Sequence, residues 1–287
     1  MNSPKSRFWT FFVLIALLVP AISFAQTNCD EGAGPLNPAQ PQGTTTQEII
    51  QKLAAREEMF REARNHYTYT QDITVQELDG DTVAGEFRLV QDITYSDKGE
   101  RLENVTFAPQ SSLRQLGLSR EDFEDFRYKM AFTMTTSDLP QYNLLYVGQQ
   151  HVDEIDTYVF DTAPKTFEKG QRYFQGRVWV DKHDMQIVKS CGKTVPDTIA
   201  NGKKKNVQEN LSPKFVTYRE QIDGQYWFPT YIRADDTLHF KVTGDVKMRE
   251  IIKLTNYKRF GVSTKVTFKG EAKEDPKDDN KPPAKKP

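Results

Sequence analysis

The spacing of apolar positions changes period along the chain and divides it into distinct stretches. Residues 8–19 are almost wholly apolar, broken only by Thr10 and ended by Pro20. From Gln47 to Asn65 the apolar residues return at helical spacing. Ile49, Ile50, Leu53, Phe60 and Ala63 form one face, Glu57, Glu58, Arg61 and Arg64 fill the other, and Thr46 is placed to cap the start. After His66 the period drops to two. Tyr67–Leu78, Glu86–Tyr95 and Arg101–Phe107 alternate polar with apolar or β-branched residues, with turn chemistry at Asp79-Gly80-Asp81 and Asp97-Lys98-Gly99. Ser119-Arg120-Glu121-Asp122 then reads as a capping sequence for a short helix with Phe123 and Phe126 on its apolar edge. Alternation resumes over Leu144–Gln150, Thr157–Thr162, Arg172–Asp181, Met185–Thr194, Lys214–Ile222, Tyr226–Ala234 and Leu238–Tyr257. Lys182-His183-Asp184 and Asp223-Gly224 supply tight turns, Asp235-Asp236 marks a strand end, and the last stretch is expected to bend at Gly244.

Successive strands joined by short turns pair antiparallel. The expected class is therefore α+β: a curved antiparallel sheet of about ten strands that forms an incomplete β-barrel. The N-terminal helix and the short helix near Phe123 would cover its concave face. The chain divides into a leader (1–25), a flexible linker rich in Gly, Pro, Gln and Thr (26–46), a sheet-and-helix domain (47–262) and a disordered charged tail (263–287).

Lys5 and Arg7 precede the apolar run, and Ser23 and Ala25 follow it at the −3 and −1 positions of a cleavage site before Gln26. This is the pattern of a Sec-type signal peptide, so the mature chain is expected to be exported, periplasmic and not integral to a membrane. Gln26, Thr27 and Asn28 ahead of Cys29 argue against lipid attachment at that cysteine. The 39 basic and 40 acidic residues give a net charge of −1, which excludes a nucleic-acid partner that depends on basic excess. Cys29 and Cys191 are the two cysteines of the chain. In an oxidising compartment they either pair within the chain, link two chains or remain free thiols.

A resemblance emerges from the order of several strands. Gly176-Arg177-Val178-Trp179-Val180-Asp181, followed after a turn by Met185-Gln186-Ile187-Val188-Lys189, resembles the hairpin of the outer-membrane lipoprotein-sorting superfamily of periplasmic lipoprotein carriers and acceptors. Tyr158-Val159-Phe160-Asp161 with Pro164-Lys165 is similar to the strand before that hairpin. Tyr226-Trp227-Phe228-Pro229-Thr230 and Asn256-Tyr257-Lys258-Arg259-Phe260 are similar to its C-terminal strands. The resemblance implies an unclosed barrel with a helical lid and an apolar concave face that holds acyl chains. Its members also serve as sensors, so the family does not define the ligand. The N-terminal linker, the Lys203-Lys204-Lys205 insert and the charged tail depart from the short carriers.

Alternation gives the candidate ligand-binding residues independently of the family: Phe87, Leu89, Phe174, Val178, Val180, Val216 and Tyr218 are expected to face inward. They would either line a cavity for lipid or an acylated protein, or fill a packed core in an envelope module that binds a protein partner. A twelve-carbon chain gains about 0.8 kcal/mol for each methylene buried, before ordering costs. No G-x-S-x-G elbow, H-E-x-x-H helix or P-loop occurs, so no catalytic residue and no cofactor is expected. His151, Asp153 and Asp156 are the best metal-like grouping, and a solvated acidic turn explains them better, so no metal is expected. A secreted hydrolase using Asp153 or Asp156 is the remaining enzymatic reading.

Overall fold

The computed structural model describes residues 27–196, 211–240 and 244–260. The expected signal peptide, the Lys203–Lys205 insert and the charged tail lie outside them. The long helix α1 (Thr46–Arg64) begins one residue earlier than its pattern suggests. Thr45 is the N-cap: its hydroxyl accepts from the Glu48 amide, and the Glu48 carboxylate accepts from the Thr45 amide. The helix buries Ile49, Leu53, Ala54 and Phe60. It also buries Glu57, which the helical spacing places on the polar side. Arg219 supplies the reason, because its Nη1 lies 3.1 Å from Glu57 Oε1 and both side chains are wholly enclosed. Ile187 donates its amide to the same oxygen at 3.0 Å.

Ten strands follow: β1 (Tyr67–Asp79), β2 (Thr82–Tyr95), β3 (Arg101–Phe107), β4 (Tyr142–Val152), β5 (Ile155–Pro164), β6 (Tyr173–Asp181), β7 (Ile187–Val195), β8 (Phe215–Ile222), β9 (Tyr226–Phe240) and β10 (Gly244–Arg259). They form one open antiparallel sheet in the order β3-β2-β1-β10-β9-β8-β7-β6-β5-β4. The α+β class and the unclosed, meandering sheet agree with the sequence pattern. Between β3 and β4, α2 (Arg120–Glu124) is capped by Ser119 and continues through a π turn over Asp125–Lys129.

Asp235-Asp236 is not a strand end. β9 runs through it to Phe240, because Arg233 and Arg249 donate to the two Asp235 oxygens at 2.5 and 2.7 Å and make a buried carboxylate tolerable in mid-strand. Gly244 accordingly begins β10 rather than bending one long strand.

Both faces of the sheet are covered. α1 and residues 113–141 lie over the concave face, where Ile49, Leu53, Phe126, Phe132, Phe174 and Ile252 belong to the main core. On the outer face Val159, Trp179, Val188 and Val216 form a second cluster. The segment 27–45, expected as a free linker, is a strap over that outer cluster. Asn37 and Gln149 exchange two backbone bonds of 2.8 Å, and Gly34 donates to the His151 carbonyl at 2.8 Å, so the strap pairs with the edge strand β4. Lys189 lies between the Trp179 and Tyr218 rings, 4.9 and 5.3 Å from their centroids, and donates to the Glu31 carbonyl. Cys29 and Cys191 form a disulfide across 162 residues, which joins the strap to β7.

Closing so long a loop restricts the unfolded chain strongly. The double change Cys29→Ser and Cys191→Ser is expected to lower the free energy of unfolding by about 2–5 kcal/mol in urea titrations. A reductant should produce the same loss in the natural protein and none in the double variant.

Candidate functional site

Residues 113–135 cross the concave trough without a strand beside them, so their backbone groups need partners from side chains. Strand residues that point inward provide these. On β1, Glu77 accepts from the amides of Arg114, Gln115 and Leu116 at 2.5–3.0 Å. Gln71, on the same strand, donates to the Phe126 carbonyl at 3.1 Å. On β8, Thr217 donates to the Met130 carbonyl at 2.6 Å and Arg219 donates to that of Phe132. Burial works against the Glu77 carboxylate, but the three amides outweigh it and hold its pKa below the ordinary value.

The crossing divides the trough. Phe132 stacks on Phe174 with centroids 4.5 Å apart and fills the middle of the sheet. Among the described residues, two cavities share Phe126 as a border. The larger, about 740 Å³, lies between the end of α1, strands β1, β9 and β10, and the π turn. Its floor is Phe60, Tyr69, Phe228, Ile232, Leu254 and Tyr257, with Tyr69 stacked on Tyr257 at 5.0 Å. Its border carries Arg61, Arg64, Arg101 and Arg127. Arg101 donates to Tyr69 at 2.6 Å, Gln71 at 2.7 Å and Glu103 at 2.9 Å, and Arg127 donates to Glu103 at 2.8 Å. Arg61 pairs with Glu58. Arg64 differs: its Nε is buried and has no hydrogen-bond partner.

The smaller cavity, about 400 Å³, lies beyond Phe126 under α2. Asp125 enters it and pairs with Arg172 at 2.8 Å. Burial, opposed by that arginine, pushes the Asp125 carboxyl up to about 6. Glu250 on β10 also faces this space.

The inward residues expected from alternation take three different positions. Phe174, Val178 and Val180 are fully buried in the main core, and Phe87 and Leu89 pack against its margin. Val216 and Tyr218 point the other way, into the outer cluster with Trp179. Phe215 and Thr217 hold the concave positions on β8 instead. Over Phe215–Tyr218 both faces of β8 are covered, so this stretch carries no alternation that could select one. None of these side chains lines either cavity. The residues that do, including Tyr69, Arg64 and Glu250, were missed. Glu250 alone left a signal, as the polar member of a buried row with Val246, Met248, Ile252 and Leu254.

His151 pairs with Asp156 at 3.1 Å across the exposed β4–β5 hairpin, and Asp153 occupies its turn. Among the described residues the carboxylate–histidine grouping with ligand-like spacing is Asp181, His183 and Asp184. Its oxygens are already engaged: Asp181 accepts the amides of His183 and Asp184, and Asp184 accepts from Trp227 and Gln221.

No family model and no curated protein matches the chain. Solved structures similar to it include the following three. A DUF1329 family protein from Desulfovibrio piger is 17% identical, covers 76% of this chain and 94% of its own, and has a TM-score of 0.40. An outer membrane lipoprotein-sorting protein domain from Vibrio parahaemolyticus is 11% identical, with coverages of 73% and 92% and a TM-score of 0.33. MucB, in complex with MucA(peri), is 11% identical, with coverages of 73% and 93% and a TM-score of 0.21.

Glu77→Ala would strand three amides of the crossing segment and is expected to destabilise the protein by at least about 2 kcal/mol. Hydrogen exchange should accelerate first at residues 114–116. Because the folded pKa of Glu77 lies below its ordinary 4.5, its stabilising contribution is present above that value. It is lost as pH falls through the folded pKa, so the natural protein and the variant should converge in stability under acid.

Proposed function

We propose that the protein is an exported, periplasmic, non-enzymatic module that binds an acyl chain, as free lipid or on a lipoprotein, and acts as a carrier or sensor. The larger cavity is the binding site. The observation that carries the reading is an aromatic-floored space of about 740 Å³ with arginines at its border, one of which, Arg64, has a buried nitrogen without a partner. That volume lies within the range of small-molecule sites, about 300–1,000 Å³. The chain would lie on Phe60, Phe228 and Leu254, and an anionic head would meet Arg64. The disulfide fits an oxidising compartment. No helix among the described residues is long and apolar enough to cross a membrane.

A second reading, an envelope module that grips a protein partner, is supported by the free sheet edge. Among the described residues β3 pairs with β2 alone, and its Leu102, Val105 and Phe107 are 39%, 54% and 50% exposed. Such an edge can accept an added strand.

Laurate titrated into the mature protein is expected to bind saturably at one site. Arg64→Met keeps the apolar stem and removes the charge; it should weaken laurate about tenfold, or about 1.4 kcal/mol, while Arg64→Lys retains part of the affinity. No saturable uptake, together with no lipid in a solvent extract of the purified protein, would leave the partner-binding module as the better reading.

A further inference from the structure

The inward row of β10 reads Val246, Met248, Glu250, Ile252, Leu254, and every member is buried. One position breaks an apolar series with a carboxyl group. Glu250 is 2% exposed, and its Oε1 has no hydrogen-bond partner. An unpaired carboxyl in such surroundings is costly by general transfer arguments. The inward polar residues Glu77, Gln71, Thr217 and Arg219 each hold the backbone of the crossing segment. Glu250 holds nothing there; it faces the smaller cavity.

The walls of that cavity include Val75, Leu116, Phe126, Met130, Leu238 and Met248. Its one basic side chain among the described residues, Arg172, pairs through its Nη atoms with Asp125 at 2.8 Å and Ser212 at 2.5 Å, while its Nε is buried without a partner. Glu121 and Asp122 on α2 also line the cavity, and Asp122 accepts from the Ser119 amide and hydroxyl. The space is thus largely apolar, has four carboxyl side chains (Glu121, Asp122, Asp125 and Glu250) against one arginine, and contains two buried carboxyl oxygens without a donor, Glu250 Oε1 and Asp125 Oδ1. Burial pushes the Glu250 carboxyl well above its ordinary range, and a cation beside it would favour its ionised form, whereas an anionic head would add to the acidic excess. The complementary ligand has an apolar body and a cationic nitrogen that donates hydrogen bonds.

We propose that this smaller cavity is a second binding site, for a small amphiphilic ammonium compound, with the nitrogen on Glu250 Oε1 and the chain against Met248 and Leu238. An unmatched carboxyl then has a role that the scaffold does not give it. The two sites would take ligands of opposite charge on either side of Phe126.

The test uses octylammonium as probe, titrated calorimetrically into the mature, disulfide-bonded protein, with octanol and octanoate as length-matched controls. One saturable site is expected for octylammonium, with octanol and octanoate each at least tenfold weaker. Glu250→Gln should cut octylammonium affinity at least tenfold. Met248→Trp, which fills the space, should abolish it. Both variants should bind laurate as the natural protein does, which also reports that they are folded. Absence of saturable octylammonium uptake, or equal uptake by the natural protein and Glu250→Gln, overturns the proposal. Failure of laurate alone overturns only the acyl-chain reading of the larger cavity; variant folding is then read from thermal unfolding.

Discussion

A backbone taken out of water without a strand beside it must find other partners for its N–H and C=O groups. Residues 113–135 are under that constraint, since they lie across the concave face of an open sheet. Glu77 gathers three consecutive amides, while Gln71, Thr217 and Arg219 meet single carbonyls from two different strands. Arg219 also neutralises Glu57 on α1 and lies 5.1 Å over the Phe60 ring. One arginine therefore joins the helix, the sheet and the crossing segment. The shape of the trough follows from where these bonds place Phe126 and Phe132.

The outer face is governed by a different economy. A sheet that is apolar on both sides cannot leave the second side to solvent, and the strap over β4 and β7 removes much of it from water. The strap has few apolar residues of its own. Its attachment depends on backbone pairing with β4, the Lys189 bond to Glu31 and the disulfide. Trp179, at the centre of this face, is completed by Gln150, which accepts from the indole at 2.7 Å and donates to the Gly34 carbonyl at 2.7 Å.

Satisfaction of polar groups separates scaffold from site in this protein. A buried polar side chain that holds a backbone group has a structural use. Buried polar atoms without partners border both cavities: Arg64 Nε the larger one, and Glu250 Oε1, Asp125 Oδ1 and Arg172 Nε the smaller. The larger cavity is bordered by several arginines and the smaller mainly by carboxyl groups, so the two halves of the trough offer different chemistry on the same apolar ground. The centre between them, filled by Phe132 on Phe174, is a packed core.

Much of the architecture was legible in the amino-acid order. Period and turn residues act over a few neighbours, and they determined the long helix, the bounds of β3, the hairpin turns and the antiparallel meander. What lay beyond local reach was decided by tertiary structure. Lys214-Phe215-Val216-Thr217-Tyr218 does not reveal which residues face the trough, because both sides of β8 are covered along this stretch. Glu57 reads as a surface residue until Arg219, 162 positions away, is brought against it. Segment 27–45 reads as a linker until β4 offers it an edge. Sequence determined the elements because their causes are local; only the folded chain decided which polar groups find partners, and therefore where the cavities and their unmatched charges lie.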